Sequence, residues 1–164
     1  MRIEGTVIAH LFDADKLCPG FPVTITNLIT LVGDQMLQKK FTGQGTVSTT
    51  VSGMKLGAGT IAAAKTGTGS YINTTNYVTA SALAFDAGFP TVSSATANAS
   101  EMKVTWNPAV VSGTVADVAI VNNTTNAGEA DGTGTFARTI FPAAFLMGVT
   151  NKLIITWIWT FIGS

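Results

Sequence analysis

The chain has 164 residues, a single histidine, a single cysteine and nine acidic against nine basic side chains. That length suits one domain with a core of its own, held without disulfides or metal. Charged residues are only 11% of the total, under half the usual share of about 25%; a formally neutral chain has no overall field to draw nucleic acid or anionic membrane, so neither is expected as a partner.

So few charges protect a surface poorly against association. Burial against copies of the chain, as a dimer or trimer, or against other proteins is therefore expected. With one cysteine, Cys18, no internal disulfide framework exists and the redox compartment is not readable. The start Met1-Arg2-Ile3-Glu4-Gly5 has no long apolar stretch, so no secretory signal peptide is expected.

In chain order, Thr6 to Phe12 reads as a first strand, followed by turn chemistry at Asp13-Ala14-Asp15 and Pro19-Gly20. Residues 1–21 are set apart as an N-terminal strand and docking arm, and residues 22–164 as one β-sandwich domain. Phe21 to Thr26 is a short extended piece. Residues 27–41 form the one convincing helix: Asn27 is a good N-cap, and Leu28, Leu31, Val32, Gln35 and Met36 recur at helical spacing. Lys39 and Lys40 suit the negative end of the dipole, Gly43 closes the helix, and Gly33 weakens it.

From Thr42 onward Gly, Thr, Ser, Ala and Val dominate. Candidate strands are 46–51, 54–56, 77–85, 92–97, 102–106, 115–121, 136–141 and the C-terminal run. Met102, Val104 and Trp106 alternate cleanly with Lys103 and Thr105; Val115 to Val121 alternates less cleanly. In the final run Leu153, Ile155, Trp157, Trp159 and Phe161 share one face, and the β-branched Ile154, Thr156, Ile158, Thr160 and Ile162 share the other. The first face demands burial. The second is too apolar for open water, and is expected either under the helix or at a subunit contact. Pro142, Gly148, Asn151 and Lys152 interrupt residues 140–162, which rules against a transmembrane helix. Short strands separated by Gly, Asn, Ser and Thr predict a mainly β fold, a β-sandwich or jelly roll with one amphipathic helix.

No motif carries chemistry convincingly. Gly57-Ala58-Gly59-Thr60-Ile61-Ala62 imitates a dinucleotide fingerprint, but Lys65-Thr66-Gly67-Thr68-Gly69 follows where a helix is needed. Residues 59–66 imitate a phosphate loop, with Ala64 where glycine is required. A surface loop is the better reading, and no cofactor is expected. His10, Asp13, Asp15 and Cys18 lie close in sequence but match no metal spacing, and His10 reads as a core histidine. No metal site is assigned. One histidine and no Gly-x-Ser-x-Gly elbow leave nucleophilic catalysis unsupported, and Asp86, Glu101, Asp117, Glu129 and Asp131 form no nameable acid/base pair. No catalytic residue is assigned, and the chain reads as non-enzymatic. Asn-x-Thr/Ser triplets at Asn73, Asn98, Asn122 and Asn123 read as chance in so Asn/Thr-rich a chain. Trp106, Trp157 and Trp159 would suit a stacking platform for bases or sugars, but each lies in an alternating strand and is better read as a core anchor. Core or interface candidates are Trp106, Phe141, Leu153, Ile155, Trp157, Trp159 and Phe161.

Four stretches occur in an order that resembles a family of tailed-bacteriophage virion structural proteins. They are Asn27-Leu28-Ile29-Thr30; Met54-Lys55-Leu56-Gly57-Ala58-Gly59-Thr60; Phe136-Ala137-Arg138-Thr139-Ile140-Phe141-Pro142; and the run from Leu153 to Phe161. The chain departs from that pattern at 115–123, where Asp117 sits inside the small-residue strand instead of before it. The resemblance implies a virion location. Its first reading is a capsid cement (decoration) protein on the head exterior, bridging neighbours of the major capsid protein. Its alternative is a tail-fibre, collar or baseplate component, with host-glycan binding as a further role.

Overall fold

A computed structural model describes residues 2–43, 51–94, 96–122 and 134–162. In chain order the elements are β1 (Arg2–Asp13), β2 (Lys16–Leu17), β3 (Val23–Thr26), β4 (Leu28–Ile29), α1 (Leu31–Thr42), β5 (Gly53–Gly57), β6 (Leu83–Ala84), β7 (Thr91–Val92), β8 (Ala99–Trp106), β9 (Gly113–Val121), β10 (Thr135–Met147) and β11 (Asn151–Ile162). They make two antiparallel sheets. The first runs β2-β1-β11-β8-β7, with β3 also paired to β1; the second runs β4-β10-β9-β5-β6. Among the described residues the architecture is a mainly β sandwich with one α-helix, α1.

One core fills the space between the sheets. The first sheet contributes Val7, Ala9, Leu11, Val104, Trp106, Leu153, Ile155 and Trp157; the second contributes Met54, Leu56, Val118, Ile120, Phe136 and Phe141. The division expected at residue 21 is therefore corrected. β1 pairs with β11 along its whole length, from Arg2 opposite Ile162 to Asp13 opposite Asn151, so packing has no boundary there. The β1–β2 hairpin turns on Ala14 and Asp15, both at positive φ, as the two-residue turns that match strand twist require.

The helix starts later than Asn27. Leu28 and Ile29 extend to pair with Arg138 and Ala137 of β10, and Thr30 becomes the N-cap. The Thr30 hydroxyl accepts from Gly33 N (3.1 Å) and donates to Thr135 O (2.6 Å), while Leu31 N finds Lys65 O (2.9 Å). Lys39 and Lys40 occupy the last turn, and Gly43 closes it in the left-handed region. Met36 enters the core, but Leu31 is exposed. Gly33 has a positive use: a Cβ there would sit 2.2 Å from Phe136 O, so the helix lies against β10 only because that side chain is missing.

Several strand expectations shift. Residues 77–85 form only β6 and an isolated bridge from Tyr77 to Gly57, and 92–97 shrinks to β7. The strand expected at 46–51 lies outside the described residues save Val51, which is not in a strand. By contrast β10 runs on past Pro142. Its pairing with β9 slips between Ile140 and Phe145, so Pro142 stands outside the ladder where its missing N–H is harmless.

Candidate functional site

The two sheets treat their outer faces differently. The second sheet is covered: Ala119 and Val121, on the back of β9, pack with Ile72, and Tyr77 lies against them. That explains the weak alternation of β9, which is buried from Val115 to Val121 on both faces. Among the described residues the first sheet carries no packed layer on its outside, apart from Asp86 and Phe89 beside β8. Ile8, Ile154 and Ile158 are half-buried by their strand neighbours yet do not belong to the core. Among the described residues the helix packs on β10 and β4 instead. Of the two covers expected for the outer face of β11, the helix is therefore excluded.

Three rows cross the middle of this open face: His10–Ile154–Thr105, Ile8–Thr156–Lys103 and Thr6–Ile158–Glu101. It is a surface of isoleucines and threonines with charges on β8 at one side. His10 shares it with Ile8 and Phe12 as the alternation requires, but this is the outer face, so the expected core histidine is corrected; its ring stacks along that of Phe12 at 6.1 Å. Lys103 lies over the Phe89 ring and 3.9 Å from Asp86, whose carboxylate takes hydrogen bonds from Thr105 N (3.0 Å) and Thr105 Oγ1 (2.7 Å).

Opposite in character is a buried ion pair behind the second sheet. Asp117 is fully buried and Arg138 is 2% exposed. Asp117 Oδ1 accepts from Gly59 N (3.3 Å), and Arg138 Nη1 donates to Gly69 O (2.9 Å). Gly57 lies against the same carboxylate, where a Cβ would be 2.2 Å from Oδ1. The loop that imitates nucleotide-binding motifs is thus fastened to the sheet by its own backbone. Burial pushes the Asp117 carboxyl above its ordinary range, against the pull of Arg138 and of the Gly59 amide.

A cleft of about 460 Å³ lies between α1 and Ile3, with Leu37 and Phe41 on one wall and the Asp34–Lys65 ion pair at its side. A second, of about 350 Å³, follows Gly5 and Thr26. Asn27 separates them. Its side chain lies over Gly5, buried, and neither amide atom finds a partner among the described residues.

Trp106, Leu153, Ile155 and Trp157 are fully buried, Phe141 and Trp159 nearly so, and Phe161 partly, against Phe41. The residues near the first turn do not converge. Asp13 accepts from Thr150, Asp15 pairs with Lys152 at 2.7 Å, and Cys18 leans on the core. Among the described residues no three His, Cys, Asp or Glu side chains cluster, and no helix is long and apolar enough to cross a membrane. Sequence reading singled out Asp117 for its position but missed its partner Arg138. The available signal was a charged residue inside each of two adjacent strands otherwise built of small and apolar residues. Comparison with protein-family models, curated proteins and solved structures finds nothing that matches this chain.

Proposed function

We propose that this chain works by assembly, as a virion structural protein of a tailed phage, and specifically as a capsid cement protein on the head exterior that bridges major capsid protein neighbours. The carrying observation is the asymmetry of the sandwich. One outer face is covered by the chain itself, and the other, among the described residues, offers Ile8, Ile154 and Ile158 among threonines. Such a face suits a large, shape-matched contact with a polar rim. Low charge supports the same reading, and the order of four motif-like stretches supports the phage setting.

Counting copies in purified particles tests it. Hundreds of copies per particle are expected for cement. About a dozen or fewer move the protein to the tail, and none overturns the virion reading.

A further inference from the structure

The open face of the first sheet is self-complementary, and we propose that it binds a second copy of this chain, face to face, about a two-fold axis that crosses the strands between Ile8 and Thr6. The proposal rests on reading this face as a contact surface, and adds what covers it.

The register carries the argument. On β1 the outward residues are His10, Ile8, Thr6 and Glu4; beside them on β11 stand Ile154, Thr156, Ile158 and Thr160; on β8 stand Thr105, Lys103 and Glu101. A two-fold axis lying in the plane of the face and perpendicular to the strands keeps each strand over its own copy and reverses the row order. Every row then meets a matching one. Lys103 faces the copy's Glu101, and Glu101 the copy's Lys103. His10 faces Glu4. Ile158 meets Thr156, Ile8 meets Thr6, and Ile154 meets Thr160, so each branched apolar side chain lies against a smaller one. The axis falls near the midpoints of β1 and β11, which are twelve residues each and paired end to end. Other choices of axis lose the match: shifting it by half a row sets Lys103 over itself, and by a whole row sets Lys103 over Thr105.

Size and angle agree. With residues spaced by about 3.4 Å along strands about 4.8 Å apart, the four strands β3, β1, β11 and β8 cover on the order of 600 Å² in projection. Side-chain relief brings this towards the ~800 Å² per partner of a standard interface. Aligned sheets pack within about 30° of one another, which keeps central rows in register. Two such contacts between opposite charges, related by symmetry, fix the orientation against slipped alternatives.

The test uses the purified chain alone, by sedimentation over a range of concentrations, with circular dichroism to check folding. The wild type is expected to dimerise. Glu101→Lys puts like charges together twice and is expected to weaken the dimer by about tenfold or more. Adding Lys103→Glu to it exchanges the two charges across the interface and is expected to recover part of the lost association, the new carboxylate standing beside Asp86 within its own chain. Ile158→Lys, outward-facing and so harmless to the core, is expected to abolish association. A wild type that stays monomeric overturns the proposal. So does a dimer indifferent to Glu101→Lys and Ile158→Lys, or a charge exchange that recovers none of the lost association. None of these outcomes touches the copy count in particles, so the two readings fail separately.

Discussion

Arg138 donates twice to one oxygen of Asp117, from Nε at 2.8 Å and from Nη2 at 2.6 Å, with both side chains shut away from solvent. The strands hold them diagonally: Arg138 stands opposite Ala119 and Asp117 opposite Ile140. Removing one partner of a buried pair strands the other charge, whereas exchanging both for apolar groups is close to neutral.

Arg138→Met is therefore expected to destabilise the fold at pH 7 by on the order of 3–5 kcal/mol, and Arg138→Met with Asp117→Leu to recover most of that loss. The pH dependence has a definite sign. Without Arg138, Asp117 keeps only the Gly59 N–H, so its folded pKa rises further above the unfolded value. A raised folded pKa gives stability that is full below the unfolded pKa and is lost as pH rises through the folded one. The deficit of Arg138→Met should thus shrink as urea titrations move from pH 7 towards pH 4; a deficit constant across that range would show that Asp117 does not carry the unpaired charge.

The three tryptophans are all buried but not equally bonded. Trp106 Nε1 donates to Ser81 O at 2.8 Å, while Trp157 and Trp159 find no acceptor among the described residues. Trp157→Ala should cost about 3–5 kcal/mol through the cavity it leaves. Trp106→Phe should cost about 1–3 kcal/mol more than Trp157→Phe, because only the former takes a donor from a carbonyl. Denaturant midpoints of the three variants decide this.

Gly33→Ala ordinarily gains about 1 kcal/mol in a helix. Here the new Cβ meets Phe136 O at 2.2 Å, a backbone atom that cannot swing aside. A net loss of about 1–3 kcal/mol is expected from overpacking. A thermal midpoint at or above that of the wild type would mean that α1 lifts off β10 freely.

Thr30→Ala removes the cap on Gly33 N and the hydrogen bond to Thr135 O, and is expected to cost about 1–2 kcal/mol. Asn27→Ala removes no hydrogen bond seen among the described residues and should cost less. Equal losses in chemical unfolding would return the cap to Asn27.

The sandwich was legible where burial is one-sided. β8 and β11 have a core face and an open face, so their alternation showed in the sequence. β9 is buried on both faces, by the core and by the segment carrying Ile72 and Tyr77, so its period blurred. The helix start was misplaced because Leu28 and Ile29 are claimed by β10, a partner distant in sequence, and local capping rules are blind to such competition. Residues 77–85 look like a strand, but β5 offers only Gly53 and Met54 to pair with β6. The rows of the open face were half legible: β11 displayed its second apolar stripe, while the charges that give the face direction lie on β8 and align only through the register.

The pairing of β1 with β11 bears on how the protein is made. Val7 and Trp157 are neighbours across the sheet and stand near opposite ends of the sequence. During synthesis β1 emerges well before β11 and waits for every element between them before its partner leaves the ribosome. Until then Val7, Ala9 and Leu11 have no β11 beside them, and the strand edge is unfilled on that side. Closing so long a loop is a late and slow event, typical of folds dominated by distant contacts.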